Sequence, residues 1–306
     1  MDIQTMLIAS VATIATVVPA AVLIRDGRRG SAPSDSARRA LRHTTIASTV
    51  ATAPLGATLA LVAAALVGAV GSSASPRTLV LVPVIALVAY LGILAVGELT
   101  LPRPTGPVRE ASVVRRSAGD VTSAADRNLV WACAATALGT ATVLALIASG
   151  PRSISRVVGR YESVTATPFP GWSVALPVVV TITVTLLGAG AVTRLVAARP
   201  ALAGVDGAWD LWLRRRIARQ ALRGAQLVLG LMIGGLLLVA SVGLRELAFG
   251  GDGVRAAPES SVHEVAGWAL TVLALAIGVL ALGIALRPAR DPAPEPSPAP
   301  TAAVAR

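Results

Sequence analysis

The residues that could do chemistry in this chain are few, and their spacing is incomplete for the reactions they suggest. His263-Glu264 opens like the zinc-protease pattern H-E-x-x-H, in which two histidines one helical turn apart hold the metal and the glutamate activates water. The fifth position is Gly267, so the second ligand is missing. His43 is the only other histidine, and it falls on what the topology below makes the opposite side of the membrane. Cys133 is the single cysteine and lies in an apolar run, so neither an intrachain disulfide nor a cysteine metal cluster is expected; it reads as a buried, inert thiol. Walker, Rossmann-glycine and G-x-S-x-G patterns are absent from the sequence, which leaves ATP hydrolysis, nucleotide redox chemistry and serine hydrolysis without their parts. No catalytic residue, metal or cofactor is expected, and the reading leans away from an enzyme.

What remains are ionisable groups at the edges of apolar segments. Such groups inside a membrane are costly and mark ion or proton paths; here the segment centres lack them. Glu98 and Arg194 stand at the inner ends of two segments and form a candidate inner gate pair, against the alternative that each snorkels to its own interface. The threonines at 136, 140, 142, 181, 183 and 185 suit packing better than a polar path.

The elements that must carry these groups are apolar and long. Of 306 residues, 54% are hydrophobic and 14% charged, with a mean hydropathy of +0.72. A water-soluble globule does not have that composition. Runs of about 20 apolar residues, each enough to cross ~30 Å of hydrocarbon, fall near 5–24, 46–70, 78–97, 129–148, 172–193, 225–244 and 265–286. The expectation is an all-α, polytopic transmembrane bundle over 1–290 and a disordered Pro-rich cytoplasmic tail over 291–306. The net charge of +11, all 27 basic residues being arginine, would suggest nucleic acid in a soluble protein. In this setting it points to anionic lipid instead, with no nucleic-acid partner.

Orientation follows from where the arginines lie, because basic residues in short loops resist translocation. Six follow the first segment (Arg25, Arg28, Arg29, Arg38, Arg39, Arg42), five the third, seven the fifth and three the last, giving 21 on one side. Arg77, Arg152, Arg156, Arg160 and Arg255 make five on the other. The amino terminus is therefore expected outside and the carboxyl terminus inside. Met1 to Gln4 carries an acid and no base, which is the reverse of a cleavable signal and fits an uncleaved anchor.

Segments two to seven read as three helical pairs, each ending in an Arg-Pro signal at Leu101-Pro102-Arg103-Pro104, Ala198-Arg199-Pro200 and Leu286-Arg287-Pro288. Pro83 and Pro177 are expected in first turns, where the missing donor is tolerated, and Gly171-Trp172 and Gly267-Trp268 place indoles at the outer interface. Three parallel hairpin repeats would give this pattern, and so would shared punctuation without duplication. Gly230 and Gly234 form a small-xxx-small face that permits close helix approach, weak evidence for a dimer. Oligomeric state is left open.

Two loops are candidate contact surfaces. From Asp206 to Gly224, Trp209, Leu213, Ile217 and Ala221 recur every four residues beside Arg214, Arg215, Arg216, Arg219 and Arg223. That is either a basic amphipathic helix on anionic headgroups, with Trp209, Trp212 and the five arginines as lipid or partner contacts, or a cytosolic extension of the sixth helix. The outer loop over 150–171 carries Arg156, Arg160, Tyr161 and Glu162 and is expected as a short hairpin or an interfacial helix.

At Gly97-Glu98-Leu99-Thr100-Leu101-Pro102-Arg103-Pro104-Thr105-Gly106-Pro107-Val108-Arg109, and again at Pro168-Phe169-Pro170-Gly171-Trp172, the chain resembles a group of uncharacterised multipass membrane proteins from actinobacteria. The resemblance runs through most of segments three to six. It implies a cytoplasmic (plasma) membrane setting and carries no activity, ligand or catalytic residue. The leading expectation is a non-enzymatic accessory, sensory or regulatory membrane protein whose basic cytoplasmic loops contact anionic lipid or a protein partner. A permease or transporter subunit, and an intramembrane lipid-modifying enzyme built around Glu98, are the alternatives.

Overall fold

The computed structural model describes residues 32–69, 76–101, 116–160, 162–202, 205–250 and 259–287. The expected first segment at 5–24 and the tail at 291–306 lie outside them. Helices α1 (Asp35–Ala69) and α2 (Pro76–Leu99) pack side by side. One turn, α3 (Ala118–Val121), leads into α4 (Ala124–Ile147). A 3-10 turn at Trp172–Val174 runs directly into α5 (Ala175–Ala198), followed by α6 (Gly207–Ala248) and α7 (Ser261–Ala285).

Helix starts follow their caps. Ser123 accepts the Asp126 N–H at 3.0 Å while its own hydroxyl donates to the Asp126 carboxylate at 2.7 Å, which satisfies an otherwise orphaned donor at the start of α4. Asp206 accepts from the Ala208 N–H and opens α6 in the same way. Pro177 sits in the first turn of α5 as expected. Pro83 does not: α2 begins at Pro76, so Pro83 is interior to the helix. The apolar run starting at Thr78 hid that earlier turn.

Among the described residues, four helices are long and apolar enough to cross a membrane: Ala124–Ile147, Trp172–Ala198, Gly207–Ala248 and Ser261–Ala285; Pro83–Leu99 is a shorter apolar helix. The mostly helical architecture holds, with one correction to an all-α reading. Between α4 and α5 the chain forms an antiparallel hairpin, β1 (Ile154–Val157) and β2 (Ser163–Ala166), pairing Ile154 with Ala166 and Val157 with Ser163. Its inward residues, Ile154, Val164 and Ala166, are buried while Val157 faces out, the period-2 alternation of a one-sided sheet.

Helix α6 is the mast of the bundle. At 42 residues it is about 63 Å long, and among the described residues it touches every other α-helix and both strands. Small residues set how closely its neighbours approach. A Cβ at Gly224 would enter the Tyr90 ring, one at Gly230 would meet the Ala281 methyl, and one at Gly234 would stand 3.2 Å from the Ala274 carbonyl. The Gly230/Gly234 face is thus occupied within the chain, by α7. At the hairpin end, Gly243 lies beneath Pro168 and the fully buried Phe169. Thr181 and Thr185, also fully buried, donate to the Pro177 and Thr181 carbonyls one turn back, each at 2.7 Å. They pack within the bundle, satisfied by their own helix.

Replacing Gly230 by Val overpacks the α6–α7 contact, and the expected cost is about 1–3 kcal/mol, read as a lowered thermal midpoint of the protein in nanodiscs. At Gly235, where nothing lies within 4 Å of a built Cβ, Ala is expected to be neutral or to gain up to ~1 kcal/mol from helix propensity. Equal losses at both positions would contradict this packing.

Candidate functional site: a buried ionic cluster at the arginine-rich end

Where α2 and α5 end and α6 begins, five charged side chains from distant parts of the sequence meet. Asp210, in the first turn of α6 and 1% exposed, is the centre. Its Oδ2 accepts from Arg214 Nε at 2.8 Å and from Arg116 Nη1 at 2.9 Å, and its Oδ1 accepts from Arg199 Nη2 at 2.9 Å. Arg199 turns its Nη1 to the Oε2 of Glu98 at 3.2 Å. All but Arg116 are almost completely enclosed.

Arg214 does a second task. Its Nη1 donates to the Val196 and Ala197 carbonyls at 2.9 and 3.0 Å, and its Nη2 to the Pro200 carbonyl at 3.1 Å. These are carbonyls at and just beyond the end of α5, groups that an ending helix leaves without donors. Three guanidinium groups against two carboxylates leave one positive charge in excess, and the partial negative end of α5 lies against it. Asp210, in turn, faces the partial positive end of its own helix. Burial lowers the Arg214 guanidinium from its ordinary value, and the neighbouring Asp210 carboxylate works against that shift.

A small apolar core surrounds the ions. Ala37, Ala40 and Leu41 of α1, Leu101, Val196, and Trp209, Leu213, Ile217 and Ala221 of α6 pack into one buried cluster. Side-chain bonds tie it: Tyr90 donates to the Gln220 carbonyl at 2.8 Å, Ser48 to the Gln220 side chain at 2.7 Å, and the His43 ring lies 3.0 Å from the Gly97 carbonyl. Chemically the arrangement clamps helices. Both oxygens of Asp210 and the Oε2 of Glu98 are engaged by guanidinium groups.

The structure redistributes the residues singled out from sequence. Glu98 pairs with Arg199, the residue just past the end of α5, and Arg194 is exposed; of the two readings given for Glu98 and Arg194, the candidate gate pair is not formed, and Glu98 is buried in an ion pair with a different arginine. Residues 206–224 are the first turns of α6, and Trp209, Leu213, Ile217 and Ala221 are buried against α1 and α2. That apolar face is covered by α1 and α2 and is not free to lie on headgroups, and the stretch is continuous with the long helix α6. Trp209 and Arg214, at 1% exposure each, are not contact residues.

Arg215, Arg216, Arg219 and Arg223 sit on the other side of the helix, about 100–200° around from Arg214 at ~100° per residue. Arg215 donates to the Asp120 carbonyl at 3.2 Å, Arg216 lies over the half-buried Trp212 ring, and Arg223 donates to the Arg287 carbonyl. At the far end, Arg156 anchors the hairpin by donating to the Leu247 carbonyl at 3.0 Å, while Arg160 and Glu162 are exposed. Tyr161 lies outside the described residues. Arg245 passes its stem over Gly267 and covers the Trp268 ring at 4.6 Å. His263 bonds Ser260 at 2.7 Å, and no group of metal-binding residues occurs among the described residues.

Asp210, Arg199 and Arg116 were missed as a site. The legible signal was the i, i+4 spacing of Asp210 and Arg214, a pattern that pairs charges along one helix face. No family model, curated protein or solved structure matches this chain.

Asp210→Ala leaves the buried guanidinium groups of Arg199 and Arg214 and the partly exposed one of Arg116 around an empty centre. The expected loss is about 3–5 kcal/mol, seen as a large drop in thermal midpoint or loss of the folded species, while Arg194→Ala stays within about 0.5 kcal/mol. An Asp210→Ala protein with an unchanged midpoint would refute the clamp.

Proposed function

We propose that the chain is a multipass protein of the plasma membrane, kin to the actinobacterial group it resembles. It crosses seven times with its amino terminus outside and its carboxyl terminus inside, and acts as a non-enzymatic accessory or regulatory component. The contact surface is the outward arginine face of α6, formed by Arg215, Arg216, Arg219 and Arg223, and its ligand is anionic lipid at the inner leaflet.

One observation carries this reading. Between Arg223 and Arg245, α6 has no ionisable residue, and the 21 intervening residues span about 31 Å, the thickness of the hydrocarbon layer. The four arginines begin at one edge of that stretch, where headgroup phosphates would lie; Arg245 and its Trp268 ring mark the other. The seventeen residues from Gly207 to Arg223 project about 25 Å beyond the edge, braced by the ionic cluster. Large exposed apolar side chains along α7, among them Val265, Val272, Val279 and Leu280, agree with a lipid environment. Engagement of Glu98 by Arg199 favours a structural role for that acid over catalysis.

Each arginine near an anionic surface contributes about 1 kcal/mol. Replacing Arg215, Arg216, Arg219 and Arg223 together by Gln is expected to reduce the retention of phosphatidylglycerol over phosphatidylcholine by about tenfold or more, measured by native mass spectrometry of protein extracted from mixed bilayers. The same preference in variant and parent would overturn the proposal.

A further inference from the structure

A cleft of about 380 Å³ opens where α3 meets α4, lined by Asp120, Thr122, Ser123 and Asp126 on one side and by Arg215 and Arg219 on the other. Its volume is at the small end of the ~300–1,000 Å³ typical of ligand sites. It carries both signs of charge on opposing elements. Asp120 is held below the usual carboxylate range by the Ser117 backbone N–H and hydroxyl, and so stays ionised at neutral pH. Both serine contacts on Asp120 use Oδ2, and the Ser123 hydroxyl uses Oδ2 of Asp126. Arg215 spends its Nε on the Asp120 carbonyl, which holds its guanidinium at the rim.

The cleft also has a definite height along the bundle. Gln226 donates from Nε2 to the Asp126 carbonyl at 3.1 Å, so the first turn of α4 is level with the start of the stretch of α6 that has no ionisable residue. Arg219 and Arg215 lie about two and three turns further out. A ligand here would therefore sit in the headgroup layer if the membrane placement proposed above is right; this inference rests on that placement.

We infer that the cleft takes the headgroup of an ethanolamine phospholipid: a phosphodiester with a primary ammonium group a few bonds away. Phosphate is met by the Arg215 and Arg219 side, and the ammonium by Asp126 and Asp120 in charge-assisted hydrogen bonds. A headgroup that is anionic only could place its phosphate against Arg215 and Arg219 but would bring no cation to Asp120 and Asp126, and its negative charge beside those two carboxylates discriminates against it. The cleft shares Arg215 and Arg219 with the arginine face, and Asp120 and Asp126 are what set its preference apart.

The test uses the full chain in nanodiscs of equal phosphatidylethanolamine and phosphatidylglycerol, with co-retained lipid counted by native mass spectrometry. The parent is expected to enrich phosphatidylethanolamine, and Asp120→Asn with Asp126→Asn to lower that enrichment about threefold to fivefold, the scale of solvent-accessible ion pairs. Retention of phosphatidylglycerol through the arginine face should not fall in that variant, which separates this inference from the preceding one. Comparable thermal midpoints establish that the variant is folded; a single Asp126→Asn change, expected to give a smaller loss, serves if the double variant is not. In a second arm, soluble phosphoethanolamine is added to phosphatidylglycerol nanodiscs. Protection by the soluble compound without lipid enrichment would overturn the lipid as source. Equal enrichment in parent and aspartate variants, or none in the parent, would overturn the site.

Discussion

Three guanidinium groups converge on the single carboxylate of Asp210, and this convergence determines how the arginine-rich end of the bundle is built. A lone carboxylate at 1% exposure would not stay charged. With Arg116, Arg199 and Arg214 around it, it becomes the point through which the end of α5, the start of α6 and the segment leading into α3 are fixed to one another. Glu98 extends the same clamp to the end of α2. The arrangement is asymmetric in energy: assembled, its desolvation cost is offset by short bonds and by two helix ends; with one member removed, the remainder are buried charges without compensation. Rigidity and register at this end are therefore its main product, and net stability the lesser one.

The clamp also accounts for the division of labour along α6. Arg214 belongs to the interior and Arg215, its neighbour in sequence, to the surface, because a helix rotates successive side chains by ~100°. A run of three arginines is thus split between holding the fold and facing outward. Further along, glycine takes over: Gly224, Gly230, Gly234 and Gly243 let Tyr90, α7 and Phe169 approach the helix backbone. One helix is fastened by charge at its start and by close contact through the rest of its length.

Much of the helical layout was legible because apolar runs of bilayer length and Arg-Pro stops are strong local signals. Segments expected at 129–148, 172–193 and 265–286 correspond to α4, the Trp172–Ala198 run and α7 within a few residues. The ionic cluster was not legible, because Arg116, Arg199 and Asp210 are brought together by tertiary packing that sequence spacing does not encode. Arg199 looked like punctuation before Pro200, and Arg194 stood nearer to the apolar run. The periodic Trp209, Leu213, Ile217 and Ala221 stripe was read correctly as an apolar face; what covers it, α1 and α2, is a long-range fact. Pro83 was misplaced because a helix can begin in the polar turn that precedes its apolar run.

The central claim is that charge pairing between α2 and α5 runs through Arg199, and a double-mutant cycle in bilayers tests it most directly. Glu98→Gln and Arg199→Gln, singly and together, are expected to show a coupling of at least about 1 kcal/mol in unfolding free energy, whereas Glu98→Gln with Arg194→Gln should add within about 0.5 kcal/mol. Additive losses for Glu98 and Arg199, or strong coupling of Glu98 to Arg194 instead, would contradict the account.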